Sequence, residues 1–135
     1  MANALYDAGR EGFLAGNIDW DADDIRVILV DGADYTPNLS THDFLDDVPG
    51  AARVAVSSSL TGKTTTAGVA DASDVTFTAV TGDQFEYILI YKHTGTDATS
   101  RLIALIDTAT GMPATPSGGD IIVQWDNGAS KIFKL

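Results

Sequence analysis

The chain has 135 residues, no cysteine and a formal net charge of −11 at pH 7. This length suits a single domain over residues 1–135, and the lack of cysteine excludes disulfides, thiolate nucleophiles and thiolate metal ligands. Nineteen acidic residues against eight basic ones, with no cluster of Lys or Arg, also make nucleic acid a poor partner.

The acidic residues concentrate in the first third of the chain. Residues 1–50 contain eleven acidic and two basic side chains. Such an imbalance either keeps the protein soluble through charge repulsion or forms a negative face that docks on a basic partner. No apolar run approaches the roughly eighteen residues of a membrane span. The N-terminus lacks the basic and apolar regions of an export signal, so we expect neither a membrane partner nor secretion.

The segment from Ala2 to about Gly16 is predicted to be the chain's one convincing helix, which makes residues 1–16 a helical N-terminal segment. Its apolar stripe consists of Leu5, Ala8, Gly12 and Ala15. Such a stripe either caps an open end of the core or, at a free terminus, serves as a docking arm. For the docking alternative, the candidate protein contacts are Leu5, Tyr6, Phe13, Leu14 and Trp20.

Strand patterns dominate the rest of the chain. Residues 25–30 are β-branched and nearly continuous, whereas residues 53–57 and 75–80 alternate between apolar and polar. Residues 85–91 and 101–106 are more apolar along their length, which is typical of central strands covered on both faces. The connecting segments are polar or rich in Pro and Gly, and they cover 35–52, 92–100 and 107–119.

The last part of the chain, residues 117–135, predicts a β-hairpin. Two strand-like runs flank a turn at Asp126-Asn127-Gly128. With the earlier runs this makes about seven to eight short strands and no interleaved helices. The fold class expected is therefore mainly β, as a β-sandwich or jelly roll with a short N-terminal helix.

Two segments imitate ligand-binding loops. Residues 57–64 resemble a phosphate-binding loop, but Ser57 replaces its first glycine and no helical pattern follows. Residues 19–24 begin like a calcium loop, but Asp24 stands where the sharp turn needs Gly, and Val30 stands where a Glu ligand is needed. We expect no nucleotide site, and for the second segment either a solvated acidic turn or a weak surface cation site.

No catalytic, cofactor-binding or metal-binding residue is predicted. His42 and His93 lie in separate polar loops without a His or Cys partner at ligand spacing. Neighbouring carboxylates along an extended chain point apart, which suits them poorly to acid and base catalysis. We therefore expect no enzyme and no cofactor. Trp20 and Trp125 are expected in the core, the alternative being a sugar-stacking surface.

The chain resembles small structural proteins of tailed bacteriophages over nearly its whole length, and four stretches carry the resemblance. They are residues 4–14, 25–31, 68–83 and 105–135. The role this resemblance implies is a head decoration (cement) protein, which binds the outside of the capsid and ties neighbouring major capsid subunits together. It implies a virion location after synthesis in the host bacterial cytoplasm, and it carries over no catalytic residue.

The decoration role leads to specific expectations about partners. The partners would be the major capsid protein and further copies of the chain, as dimers or trimers. Deleting residues 1–16 should then leave a folded domain that no longer coats particles. Two alternatives remain open, a phage tail or baseplate accessory protein and a carbohydrate-binding β-sandwich module.

Overall fold

The computed structural model describes residues 3–135. Within that range the fold is mainly β, as predicted, with nine strands in antiparallel sheets and one α-helix, α1 (Asp7–Leu14). None of the helices described there combines the length and apolar character that a membrane crossing requires. The strands are β1 (Ala4–Leu5), β2 (Ile25–Val30), β3 (Arg53–Val56), β4 (Val69–Ala70), β5 (Val75–Phe77), β6 (Tyr87–Lys92), β7 (Leu102–Ile106), β8 (Ile121–Val123) and β9 (Phe133–Lys134).

Five strands form one antiparallel sheet in the order β1-β7-β6-β2-β3. At its centre, β2 and β6 pair so that Ile28 lies opposite Leu89. Each face of this sheet carries its own buried core: Val27 and Ile90 belong to one, and Ile28 and Leu89 to the other. This explains why β2 and β6 are apolar on both faces rather than alternating.

Different parts of the chain cover the two faces of the main sheet. Two small antiparallel ribbons, β4–β9 and β5–β8, contribute Ala70, Phe77 and Val123 to the core on one side. On the other side, the connection predicted over residues 35–52 packs Leu45 and Val48 against the sheet. This connection contains two short 3₁₀ turns, Leu45–Asp47 and Gly50–Ala52.

The N-terminal segment differs from its prediction as one continuous helix. Ala4 pairs with Leu105 and Leu5 with Ala104, so Ala4–Leu5 is an edge strand of the main sheet. The helix begins only at Asp7. Ala2 lies outside the described residues. Pairing with β7 overrides the helical periodicity of Ala4 and Leu5. As an edge strand, their backbone gains hydrogen bonds to β7 that an isolated helical turn would lack.

The predicted C-terminal hairpin is also wrong, because β8 and β9 do not pair with each other. β8 pairs with β5 and β9 with β4. The connection between them is held by an earlier part of the chain: the Trp125 backbone N–H donates to the Asp74 carboxylate (3.0 Å), and its indole N–H donates to the Ser73 carbonyl (3.1 Å). The backbone N–H of Ile132 donates to the carbonyl of Ala70.

Candidate functional site

A shallow groove lies between the end of α1 and the ribbon β4–β9, and we call it the terminal groove. Its volume is about 390 Å³. The polar residues of its lining are Asp19, Asp21 and Thr65, and its apolar residues are Phe13, Ile18, Trp20, Val69, Ala70, Phe133 and Leu135, with Gly16 and Gly68 between them.

Three aromatic rings build the floor of the terminal groove. The centroids of Phe13 and Phe133 lie 5.8 Å apart, and the Trp20 ring meets Phe133 edge-on at 5.3 Å. The Trp20 indole N–H donates to the backbone carbonyl of Asp71 at 3.1 Å. One edge-to-face pair, one tilted pair and a satisfied indole N–H hold these rings in one arrangement, so the groove has a preformed apolar floor.

Two leucines are exposed here, one that lines the groove and one that follows the groove residue Phe13 in the chain. Leu14, which follows Phe13 in the last turn of α1, is 91% exposed, and Leu135 at the groove's edge is 60% exposed. Burying a leucine side chain stabilises a complex by about 2 kcal/mol, so each leucine would contribute to binding if a partner covered it. This side of the molecule therefore has the character of a protein docking surface.

The five predicted contact residues fall into three groups. Leu5 and Tyr6 are buried in the chain's own core, so they are unavailable to a partner in this conformation. Trp20 is also buried, at 4% exposed, although one side of its ring lines the terminal groove. Phe13 is half-buried in the groove, and Leu14 is exposed. The helical stripe did not distinguish the buried residues from the exposed ones, because a sequence pattern does not show which face of a short helix the main sheet covers.

Sequence reasoning missed Phe133 and Leu135 as parts of the candidate site. Both were expected in a closing hairpin, whereas the pairing of β9 with β4 brings them beside Phe13 and Trp20. No local signal indicates this, because β4 is two residues long and carries no alternation of its own.

A chain of hydrogen bonds runs from the core to the surface behind α1. The hydroxyl of Tyr6 lies 2.9 Å from that of Tyr35, and the Tyr35 hydroxyl lies 2.9 Å from Nδ1 of His42. The backbone N–H of Asn38 also donates to this Nδ1, at 3.2 Å. Nδ1 is therefore an acceptor, and the chain runs from the Tyr6 hydroxyl through the Tyr35 hydroxyl to the imidazole.

Burial dominates the ionisation of these tyrosines. Desolvation raises the pKa of the Tyr6 phenol far above its ordinary value, and the hydrogen bond with Tyr35 raises it further. Burial likewise raises the pKa of Tyr35. Both hydroxyls therefore stay protonated at neutral pH and act as structural hydrogen-bonding groups beneath the connection over residues 35–52.

The acidic segment at residues 19–24 uses its carboxylates within the fold. Asp19 accepts the backbone N–H groups of Asp21 and Ala22 at 3.1 and 3.2 Å, which forms a local turn. Asp23 makes an ion pair with a lysine of β6. Asp24 accepts two hydrogen bonds from the Arg26 guanidinium, and these bonds hold the pKa of the Asp24 carboxyl below its usual range.

The segment that imitates a phosphate-binding loop lies along β2. The Ser57 hydroxyl accepts the backbone N–H of Val27 at 2.9 Å, and the Leu60 N–H donates to the Ile25 carbonyl at 2.8 Å. The Lys63 ammonium donates to the carbonyl of Asp23. Through these bonds the segment extends the edge of the main sheet and does not form a phosphate-binding loop.

The arrangement of the terminal groove is suited to covering another protein surface. It combines an apolar floor, the exposed Leu135 and acidic side chains at its rim, with the exposed Leu14 following Phe13 in the chain, and these are the ingredients of an interface core with a polar border. No protein-family model matches the chain, and no curated protein matches it either.

Proposed function

We propose that the protein is a non-enzymatic structural component of a tailed-phage virion, a head decoration (cement) protein. It binds the outside of the major capsid shell and stabilises that shell, after synthesis in the host cytoplasm. The resemblance of residues 4–14 and 105–135 to phage structural proteins supports this role. The observation that carries the proposal is the terminal groove, whose lining exposes Leu135, together with the exposed Leu14, which follows the groove residue Phe13 in the chain.

The apolar contact that the terminal groove and Leu14 offer is modest. Covering Leu14 and Leu135 would contribute about 4 kcal/mol in total before the cost of association is subtracted. A single contact of this size binds weakly. On a capsid, however, each decoration protein that contacts several subunits, or another copy of itself, gains effective concentration for every further contact. We propose dimers or trimers for this reason.

Charge supports the same role. The net charge of −11 keeps free copies apart before assembly. The Asp19 and Asp21 carboxylates at the rim of the terminal groove favour a partner surface that carries Lys or Arg. We propose that the capsid subunit supplies this basic surface and that the ribbons β4–β9 and β5–β8 form the second layer of a β-sandwich that presents the groove.

The test uses undecorated capsids of a phage that encodes the chain. Wild-type protein is compared with Leu14→Ser, and with Ile122→Ser as a matched control, since Ile122 is 64% exposed on β8 outside the groove. Co-sedimentation should show binding weakened about tenfold for Leu14→Ser and unchanged for the control. Equal binding by both variants would contradict a docking contact that includes Leu14.

Copy number separates the decoration role from the tail or baseplate role. A cement protein should be present in purified virions at a copy number comparable with that of the capsid subunit, whereas a tail accessory protein should be present in only a few copies. The carbohydrate-binding alternative loses its main support, because Trp20 and Trp125 are both buried. A glycan array should therefore show no binding that depends on either tryptophan.

The structure also changes how the N-terminal segment should be tested. Deleting residues 1–16 would remove β1 and the fully buried Tyr6, so we expect the truncated chain to lose stability. A failure of that truncation to coat capsids would not separate docking from folding. The Leu14 substitution does separate them, because this side chain is exposed.

A further inference from the structure

A second groove lies at the β3 edge of the main sheet, and we call it the edge groove. It is lined by residues 54–58 on one wall and residues 76–81 on the other. Its volume is about 310 Å³, and it is open to solvent along its length. The first wall contains most of β3, and the second continues from β5.

Both walls of the edge groove present strand edges. Within the described residues, β3 pairs only with β2 and β5 only with β8. The Ser57 N–H donates to the Val27 carbonyl at 2.8 Å. Because an antiparallel ladder alternates, the N–H and C=O of the preceding residue, Val56, point away from β2 and toward the groove.

These edges lack two usual protections against strand addition, charged side chains and prolines. Natural edge strands carry inward charges, lysines or prolines that block pairing with another chain. Every residue along both walls is uncharged, and none is proline. Arg53, at the start of β3, donates instead to the carbonyls of Leu45 and Val48 and makes an ion pair with Asp97.

An acidic cluster lies close to one end of the edge groove, although none of its residues lines the groove. Carboxylate oxygens of Asp31, Asp34 and Asp83 lie within 4.8 Å of one another. They lie near the Val54 end, since a Cβ added to Gly82 would be 3.6 Å from Val54 Cγ1. Three carboxylates this close favour a cationic group on whatever occupies the groove.

We propose that the edge groove binds an extended, uncharged segment of the major capsid protein that carries a Lys or Arg at one end. The segment adds a strand against β3, its backbone pairs with the outward groups of Val56, and its basic side chain meets the acidic cluster of Asp31, Asp34 and Asp83. A second copy of this chain is a poorer occupant, because it brings a further net charge of −11. This inference rests on the proposed function.

The test uses undecorated capsids and an array of overlapping peptides that covers the major capsid protein of the same phage. Val56→Lys places a charge on the free strand edge, and Ile122→Lys is the matched control, since Ile122 lines neither groove. We expect capsid binding to weaken about tenfold for Val56→Lys and to change less than about twofold for the control. Wild-type protein should select array peptides in which a basic residue flanks an uncharged run, and Val56→Lys should not.

The acidic end is tested separately by Asp83→Asn, with Asp126→Asn in an exposed turn as its control. At low salt, Asp83→Asn should weaken binding about threefold, and the difference should shrink as salt screens the charges. If Val56→Lys lowers the thermal stability, Thr78→Lys on the opposite wall replaces it, because Thr78 is exposed and its side chain is not part of the core.

The outcomes are distinguishable. If wild type coats capsids and the folded lysine variants coat them equally well, the edge-groove inference is overturned while the decoration role stands. If wild type does not bind capsids, the decoration role fails and this inference fails with it. A wild-type dimer that Val56→Lys dissociates, measured by light scattering, would assign the groove to a second copy and overturn the proposed occupant.

Discussion

Gly9 of α1 lies directly against the backbone of Ile103 in β7, so closely that a Cβ atom on Gly9 would be 2.7 Å from the Ile103 carbonyl oxygen. The neighbouring atom is backbone and cannot rotate away. We expect Gly9→Ala to lower the free energy of unfolding by about 3 kcal/mol, because α1 must move off the sheet. Gly50→Ala is the control, since a Cβ there meets nothing within 4 Å. Urea denaturation of the two variants measures the difference, and equal stabilities would contradict the close packing.

The hydrogen bond between Tyr6 and Tyr35 makes a second prediction. Tyr6→Phe removes a fully buried hydroxyl and leaves the Tyr35 hydroxyl with His42 as its remaining partner. We expect a loss of about 1 kcal/mol in the free energy of unfolding at neutral pH. Tyr87→Phe alters none of these hydrogen-bonded residues, so it should lower the free energy of unfolding by less. Urea denaturation at neutral pH compares the two variants.

Alkaline pH should unfold the protein through its buried tyrosines. Burial raises the pKa of Tyr6, Tyr35 and Tyr91 in the folded state. Their stabilising contribution is therefore complete below the ordinary phenol pKa of about 10 and is lost as the pH rises above it, because the unfolded chain releases these protons first. Tyrosinate absorbance should rise together with loss of the folded circular dichroism signal. Tyrosinate formation at these positions in a chain that remains folded would contradict the burial.

The pair Asp24–Arg26 predicts an effect at acidic pH. Because hydrogen bonds from Arg26 lower the pKa of Asp24 in the folded state, its contribution is present above the ordinary carboxyl pKa of about 4 and is lost as the pH falls through the lowered value. Asp24→Asn should cost about 0.5 kcal/mol at neutral pH, given the partial exposure of both side chains. Thermal melts should show this difference shrinking in acid. A difference that is independent of pH would argue against the ion pair.

The strands that sequence reasoning recovered best are those whose pattern is local and strong. Residues 25–30 match β2 at both ends, and residues 101–106 match β7 within one residue. In each case a nearly continuous apolar run indicates a strand that is buried on both faces of a sheet. The signal lies within the run and does not depend on a distant partner. The mainly β fold class follows from runs of this kind.

The errors concern elements that depend on distant partners. Ala4–Leu5 is a strand only because β7 offers it an edge, and β9 is separated from β8 only because β4 offers it another. The candidate site could not be predicted for the same reason, since Phe13 and Phe133 come into contact through these pairings. Leu14 could be predicted as a surface contact, whereas Leu5 and Tyr6 could not be recognised as core residues from helical periodicity alone.

The pairings of the two ribbons have a consequence for how the chain folds. Val69 pairs with Lys134 and Val75 with Val123, so both ribbons close long loops, whereas β6 and β7 are near neighbours in sequence. Contacts at large sequence separation form late, because the entropy of loop closure must be overcome before they stabilise the chain. The ribbon β4–β9, which brings Phe133 to the floor of the terminal groove, should therefore assemble after the local pairing of β6 with β7, so a newly made copy would acquire its docking surface late in folding.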